Sequence, residues 1–312
     1  MSFKRFDLIL NNKLSSFKKI INIDSDKSIS IRCFLIGSIS HNVSTAKNVL
    51  ESQDVLSTIK CLKKLGVVIK RLSPGSYKIF GKGIGSFFTK NNTTLNFGNS
   101  GTLARLLIGI LSTTPGIQVK ILGDVSLNKR NMRKLIDLMS NFGATFYPKN
   151  KFTFPLKLFS SDIPIGINYN AGVSAQLKSA VILAGLNSYG STKIFEISKS
   201  RDHTEKMLQK NTDVIKITKG KKKIIKVLGK KNLRPINIIV PGDPSSAAFF
   251  ITAACLKPGS KLIVKNMLFN KTRIGFIKTL KKMGGNIQIL NKKKVNNEIL
   301  ADLKINQKTH LK

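Results

Sequence analysis

The chain contains no tryptophan and only four tyrosines in 312 residues, so platforms on which bases or sugars could stack are few. Its three cysteines, Cys33, Cys61 and Cys255, stand far apart with no CxxC, and its three histidines are not clustered. A disulfide framework and a structural zinc site are thereby excluded. Uncharged runs such as 106–119 and 244–256 are too short to cross a bilayer. The N-terminal stretch MSFKRFDLILNNKLSSFKK lacks the long apolar core and small-residue cleavage site of a signal peptide. The expectation is a cytoplasmic chain with no membrane association, no metal and no cofactor.

Acidic residues are scarce as well, 15 against 54 basic ones, for a formal net charge of +39. Such a charge suggests a nucleic-acid partner, but only nine of the basic residues are arginines, and phosphate and base recognition favours the arginine fork. The 45 lysines are dispersed and travel with many Asn, Ile and Phe, as a drift toward A- and T-rich codons would produce. Most of them read as solvated surface, with no specific nucleic-acid partner. A basic nucleic-acid-binding repeat protein stays open as an alternative.

What is present is a chain of two-domain length, 41% hydrophobic and 22% charged, able to bury a core. One pattern recurs: an amphipathic run ending near a glycine, a short strand, a polar turn and a second strand. Copies occupy 57–83, 132–158, 204–230 (degraded) and 273–305. Apolar residues at i, i+3/i+4 and i+7 predict a helix with one buried face. Glycine then closes the helix in the left-handed region in three copies, and Asn211 stands in for it in the third. Between the copies lie FGNSGTLARLLIGIL, VSAQLKSAVILAGL and PGDPSSAAFFITAACL. Each begins with small or polar residues and continues as an uncharged, buried helix. The unit is βαβαββ, with three copies before about 240 and one after.

Helix starts bare their backbone N–H groups and favour anions, and basic residues gather at the same loops. Lys27, Ser28 and Arg32 surround one such start; Gly101 and Arg105 follow Asn99-Ser100; Lys129 and Arg130 follow Gly123-Asp124; Ser174, Ala175 and Gln176 open another helix; Arg201-Asp202-His203 opens a fourth. Read singly, each is an ordinary cap or turn. Arg105 can pair with Asp124, and His203 reads as a cap or surface residue. Their joint occurrence at equivalent loops points to one site.

In this order the motifs DKSISIR (26–32), LNFGNSGTLARLLIGIL (95–111), GDVSLNKRNM (123–132), SAQLKSAVILAGLNS (174–188), SRDHTEKML (200–208), VPGDPSSAAFFITAA (240–254) and NMLFNKTRIGFIKTLKKMGG (266–285) resemble the 5-enolpyruvylshikimate-3-phosphate synthase family. The match runs from about residue 22 to the last residues. The sister family acting on UDP-N-acetylglucosamine is set aside, because DKSIS stands where a KNAALP-like segment is required and the cysteines fall in apolar helical runs. The resemblance implies an α/β fold, a two-domain inside-out α/β barrel of βαβαββ repeats. A first domain at 22–240 would carry three repeats, and 1–21 with 241–312 would form an incomplete second domain holding about one of three.

The resemblance also implies transfer of the enolpyruvyl group of phosphoenolpyruvate to the 5-hydroxyl of shikimate 3-phosphate, with release of phosphate. Lys27, Ser28, Arg32, Ser174, Ala175, Gln176 and Arg201 would bind shikimate 3-phosphate. Lys27, Gly101, Arg130 and Gln176 would face phosphoenolpyruvate, with Lys27 the candidate catalytic group. Gly101 stands where relatives less sensitive to glyphosate often have alanine. Asp24-Ser25 replaces the family's proline-glycine lead-in. No segment matches the one that carries the family's general base, so the expectation is a monomer that needs a complementary C-terminal fragment, with a noncatalytic binding remnant or half of a split enzyme as alternatives. The last sheet is expected to show an unpaired edge.

Overall fold

The computed structural model describes residues 9, 13–90, 92–218, 220 and 223–311. Residues 1–8 and 10–12 of the expected second domain lie outside the described residues. The chain runs β1 (Lys18–Asn22), α1 (Lys27–Ile39), β2 (Val43–Lys47), α2 (Gln53–Lys64), β3 (Val68–Ser73) and β4 (Ser76–Phe80). It continues with β5 (Thr94–Asn96), α3 (Gly101–Ser112), β6 (Gln118–Leu122), α4 (Val125–Asn128), α5 (Arg133–Ser140), β7 (Thr145–Tyr147) and β8 (Leu156–Phe159). Next come β9 (Asn168–Ala171), α6 (Ala175–Gly185), β10 (Ser191–Glu196), α7 (His203–Leu208), β11 (Ile215–Thr218) and β12 (Lys223–Leu228). The last elements are β13 (Asn237–Ile239), α8 (Pro244–Leu256), β14 (Lys261–Leu268), α9 (Gly275–Lys282), β15 (Ile287–Val295) and β16 (Glu298–Asn306). No described helix is long and apolar enough to cross a membrane.

The strands form four four-stranded sheets of one design, ordered β13-β2-β4-β3, β5-β6-β8-β7, β9-β10-β12-β11 and β1-β14-β16-β15. In each, the first pair is parallel and the other two pairs are antiparallel. A parallel pair needs a crossover, and a central helix supplies it. In the second and third sheets the leading strand directly precedes that helix. In the first and fourth the leading strands are exchanged: β1 runs into α1 but pairs with β14, and β13 runs into α8 but pairs with β2. The chain therefore crosses between two bodies twice, at 23–26 and 241–243. The crossings lie side by side, with Asp26 N donating to Pro241 O at 2.8 Å and Asp243 N to Asp24 O at 2.8 Å.

The helices are inside and the sheets outside. From Leu106 through Ser112 every residue of α3 is buried, as is Ile29 through Ile39 of α1 and Lys178 through Gly185 of α6. The strands around them alternate, as in the exposed–buried order of Gln118, Val119, Lys120 and Ile121. That alternation is the mark of a sheet with one solvated face. Helices buried all round need no polar stripe, which is why these three sequences carry so little charge. A separate apolar cluster, with Ala247, Ile251, Leu262, Val264, Ile277, Leu303 and Ile305, fills the fourth unit.

Two expectations change. Gly66, Gly143 and Gly284 take the left-handed conformation after their helices, but Asn211 does not. Instead its side chain accepts from Arg234 N at 3.0 Å, which satisfies the loop without left-handed backbone. The fourth sheet has the same four-strand order as the others, so no additional edge is exposed. The strand ladders close within each four-stranded sheet. What the fourth unit leaves uncovered is helix surface, since Phe249, Phe250 and Leu256 of α8 are 78%, 49% and 57% exposed.

The closest approach among the inner helices is at Gly109, where an added Cβ would lie 2.6 Å from Ala180 O. Backbone cannot yield as a flexible side chain can, so Gly109→Ala must push α3 from α6. We expect it to destabilise the chain by about 1–3 kcal/mol in urea unfolding, whereas Gly275→Ala, which meets nothing within 4 Å, changes stability by less than about 0.5 kcal/mol.

Candidate active site

Packing α1, α3 and α6 together brings their N-termini to one place. Asp26 caps α1 by accepting from Ile29 N at 2.9 Å, Ser100 caps α3 from Leu103 N at 3.2 Å, and Ser174 caps α6 from Leu177 N at 3.3 Å. A cavity of about 400 Å3 opens between these starts, lined by Ser28, Arg32, Ser174, Ala175, Gln176 and Arg201. The structure thus places side by side six residues that lie up to 173 positions apart in sequence. Thr102, Lys199 and Thr272 also line it, and the motif reading had not singled them out. Lys199 had a visible signal as a second cation beside Arg201, whereas Thr272 reaches the cavity from the fourth unit, a placement no local pattern contains.

Arg32 is 3% exposed. Its Nε donates to Thr204 Oγ1 at 2.8 Å, Nη1 to Ser28 O at 2.9 Å and Nη2 to Ser179 Oγ at 3.1 Å. A guanidinium has five N–H groups, so two remain for a ligand. Burial pushes Arg32 down to about 10, against the opposing pull of Asp26 and Glu205. It stays charged at neutral pH. Arg201 is exposed, lowered first by desolvation and then by the charge of Arg273. These are the conditions of a site that gains by receiving an anion.

A second edge lies around Gly101, the first residue of α3. A Cβ there would fall 2.8 Å from Arg105 Nη1 and 2.9 Å from Arg130 Nη1, so two guanidinium groups flank it. Arg130 Nη2 donates to Asn99 Oδ1 at 2.5 Å. Arg105 Nη1 donates to Gly101 O at 3.0 Å; it forms no ion pair with Asp124, which instead caps α4 through Leu127 N at 2.7 Å. Gln176 joins the two edges, its Nε2 donating to Thr102 Oγ1 at 3.0 Å. Lys27, the first residue of α1, is half-exposed and paired with Asp54 at 3.0 Å. Lys27, Gly101 and Arg130 are not among the residues lining the 400 Å3 cavity.

His203 is not a surface cap. It is 1% exposed, with Nδ1 2.8 Å from Glu298 Oε1 and Nε2 3.3 Å from Arg273 Nη1. Arginine only donates, so Nε2 accepts and Nδ1–H faces Glu298 in this assignment. Asp202, His203 and Glu298 place ligand atoms within 4.8 Å of one another. Lys206 Nζ already lies 2.7 Å from Glu298 Oε2, and Asn270 Nδ2 2.7 Å from Asp202 Oδ1, so the trio is compensated by protein cations and amides rather than left for a metal. A larger cavity, about 870 Å3 beside His41, Lys216, Lys231 and Arg234, lies past the C-terminal end of α1.

Lys178, from the second turn of α6, is fully buried, 2.5 Å from Glu196 and 2.7 Å from Glu205. Glu196 Oε1 also accepts from Ser200 N at 3.2 Å and Ser200 Oγ at 3.1 Å, which fixes the loop that carries Arg201. Burial pushes the Glu196 carboxyl up, but Lys178 and Lys223 outweigh it and hold it at about 2.

These features define a class: an α/β repeat protein that assembles an anion site from the N-termini of buried helices. The matches are more specific. The family model for EPSP synthase (3-phosphoshikimate 1-carboxyvinyltransferase) matches residues 12–309. Proteins named 3-phosphoshikimate 1-carboxyvinyltransferase from Parvibaculum lavamentivorans and Novosphingobium aromaticivorans are 38% and 40% identical over 288 residues. Each match covers 91% of this chain but only 63% and 65% of those relatives. The EPSP synthase structure from Acinetobacter baumannii superposes with a TM-score of 0.84 at 34% identity, covering 95% of this chain and 66% of that one. The chain belongs to the EPSP synthase family.

A depressed carboxyl stabilises the fold above its unfolded value near 4.5 and loses that contribution as pH falls toward 2. Lys178→Met removes the buried ammonium from Glu196 and Glu205 and leaves them only the partly exposed Lys223. We expect a loss of about 3–5 kcal/mol at pH 7 in urea unfolding, with the gap to the unmutated chain narrowing between pH 4.5 and 2.

Proposed function

We propose that this chain provides the shikimate 3-phosphate-binding part of a carboxyvinyltransferase, in which the enolpyruvyl group of phosphoenolpyruvate passes to the 5-hydroxyl of shikimate 3-phosphate and phosphate leaves. The observation that carries this reading is the cavity at the joined starts of α1, α3 and α6, where Arg32 retains unspent donors. Ser28, Arg32, Ser174, Ala175, Gln176 and Arg201 hold the sugar-like acid and its phosphate. Lys27, Gly101, Arg130 and Gln176 face the enol phosphate. The domain division at 22–240 against 1–21 and 241–312 is part of the proposal; separate apolar clusters in the two bodies support it.

In the reaction, the 5-hydroxyl adds to C2 of phosphoenolpyruvate while C3 takes a proton; C3 then returns the proton as phosphate departs. Cations stabilise the charge that develops on the phosphates and carboxylate. Lys27 is the proposed proton carrier, its ammonium held by Asp54. None of the chain's 15 acidic residues is assigned as the general base. The exposed apolar face of α8, with Phe249 and Phe250, supports completion of the smaller body by two further units, those of the relatives' unmatched third, in the same polypeptide or another. We propose a monomeric assembly in the cytoplasm, within the reaction sequence leading to aromatic amino acids.

Calorimetry with shikimate 3-phosphate tests the reading. We expect saturable binding, weakened about tenfold to hundredfold by Arg201→Ala, the scale of one charged hydrogen-bonded contact. No saturable binding at low or high salt overturns it. With both substrates, phosphate release should require a polypeptide equivalent to the relatives' unmatched third. It should fail to appear when Phe249→Asp blocks docking.

A further inference from the structure

The chain's two crossings between bodies each end at a helix N-cap, Asp26 for α1 of the larger body and Asp243 for α8 of the smaller. Both carboxylates reach the same side chain. Arg273, in the turn before α9, is 3% exposed; its Nη1 donates to Asp26 Oδ2 at 2.8 Å and its Nη2 to Asp243 Oδ1 at 2.7 Å. Nη2 also donates to Ser245 Oγ at 2.9 Å. Nη1 lies 3.3 Å from His203 Nε2. Two of these contacts, Asp26 and His203, have proposed site residues close by in sequence. Lys27 and Ser28 follow Asp26, and Arg201 precedes His203 by two positions. Arg273 does not line the cavity.

We propose that Arg273 is a positioning residue: its planar fork, spanning the N-caps of α1 and α8 at the paired crossings, fixes the angle between the two bodies and so sets Lys27, Ser28 and Arg201 around the ligand. This rests on the reading of the site as a shikimate 3-phosphate site. The physical case is geometric. Two antiparallel strands of single-chain backbone make a poor brace, because they are free to bend together. A guanidinium bridging both caps adds a third connection whose donors are fixed in a plane. It also separates two carboxylates that are otherwise neighbours with little water; Asp26 is fully buried. Around it the two bodies meet through Lys206 to Glu298 at 2.7 Å, Asn270 to Asp202 at 2.7 Å, His203 to Glu298 at 2.8 Å and Asn297 to Lys206 O at 3.2 Å. All of these lie beside α7, on one flank, so Arg273 is where that flank joins the crossings.

The test compares Arg273→Ala and Arg273→Lys with the unmutated full chain. Spin labels at Lys134→Cys on α5 and Lys281→Cys on α9, both exposed, report the distance between bodies; the three native cysteines are buried and stay unlabelled. Calorimetry reports shikimate 3-phosphate affinity. We expect both variants to broaden the distance distribution and to weaken binding by about tenfold or more, the scale of a lost buried charge partner. Arg273→Lys keeps the charge but not the fork, and remains folded if the alanine variant does not. Unchanged distances in Arg273→Lys overturn the clamp. Broadened distances with affinity within twofold overturn the positioning role. Arg234→Ala, a surface change outside the site, should move neither reading. Absence of ligand binding by the unmutated chain overturns the ligand assignment and not the clamp, which the distances then decide.

Discussion

Three helices that are buried on every side can be placed in a folded chain only by packing them against one another, and that single requirement organises the molecule. α3 and α6 are each tied to their own sheet by a parallel crossover, α1 arrives from the exchanged strand β1, and all three enter the interior in the same sense. Their starts therefore meet, and the backbone N–H groups that a helix cannot satisfy at its own N-terminus are gathered in one cavity. The site follows from how the repeats pack rather than from any one loop.

Beyond Lys27, which opens α1 and pairs with Asp54, each of the three helices carries one basic residue within its first two turns: Arg32 in α1, Arg105 in α3 and Lys178 in α6. A cation there opposes the positive end of the helix dipole and needs compensation. The protein supplies it in one case. Lys178 is enclosed by Glu196 and Glu205 and serves as an internal brace. Arg32 is bonded to neutral oxygens. Arg105 has only Gly101 O and is lowered by burial and then by the nearby charge of Arg130. Among the described residues Arg32, Arg105, Arg130 and Arg201 thus have no carboxylate in an ion pair, and the proposed anionic ligand would balance their charge.

The helix starts and four repeats were legible in the sequence because capping residues and apolar spacing are local signals. DKSISIR and GNSGTLAR show a cap, a cation and a buried face within a few positions. The exchange of β1 and β13 between sheets was not legible in any local signal; for β1 only the family resemblance, which set 1–21 beside 241–312, pointed to it. Both strands have the composition of any leading strand, and their partners, Lys261–Lys265 and Thr45–Lys47, lie about 240 and 190 residues away. His203 was misread for the same reason. A histidine beside Asp202 at a helix start has the sequence of a surface cap, and only the fourth unit, bringing Glu298 and Arg273, makes it a buried junction. Arg273 itself follows a threonine in an unremarkable turn. Its importance comes from two aspartates about 250 and 30 positions away.

The arginines and lysines tell different stories about the same charge. Lysine outnumbers arginine five to one, yet Arg32, Arg105, Arg130, Arg201 and Arg273 all stand in or beside the site. Elsewhere Arg71 pairs with two oxygens of Glu51 and Arg133 lies over the Phe152 ring, both at the surface. If the positive charge existed to hold a polyanion, arginine would be expected along the whole surface, because forked donors suit phosphate wherever it lies. Its concentration at one cavity and one hinge fits a compositional drift toward lysine that was tolerated at solvated positions and resisted where a planar fork must meet two partners at once. The net charge of +39 then says little about function, and the placement of a few arginines says most of it.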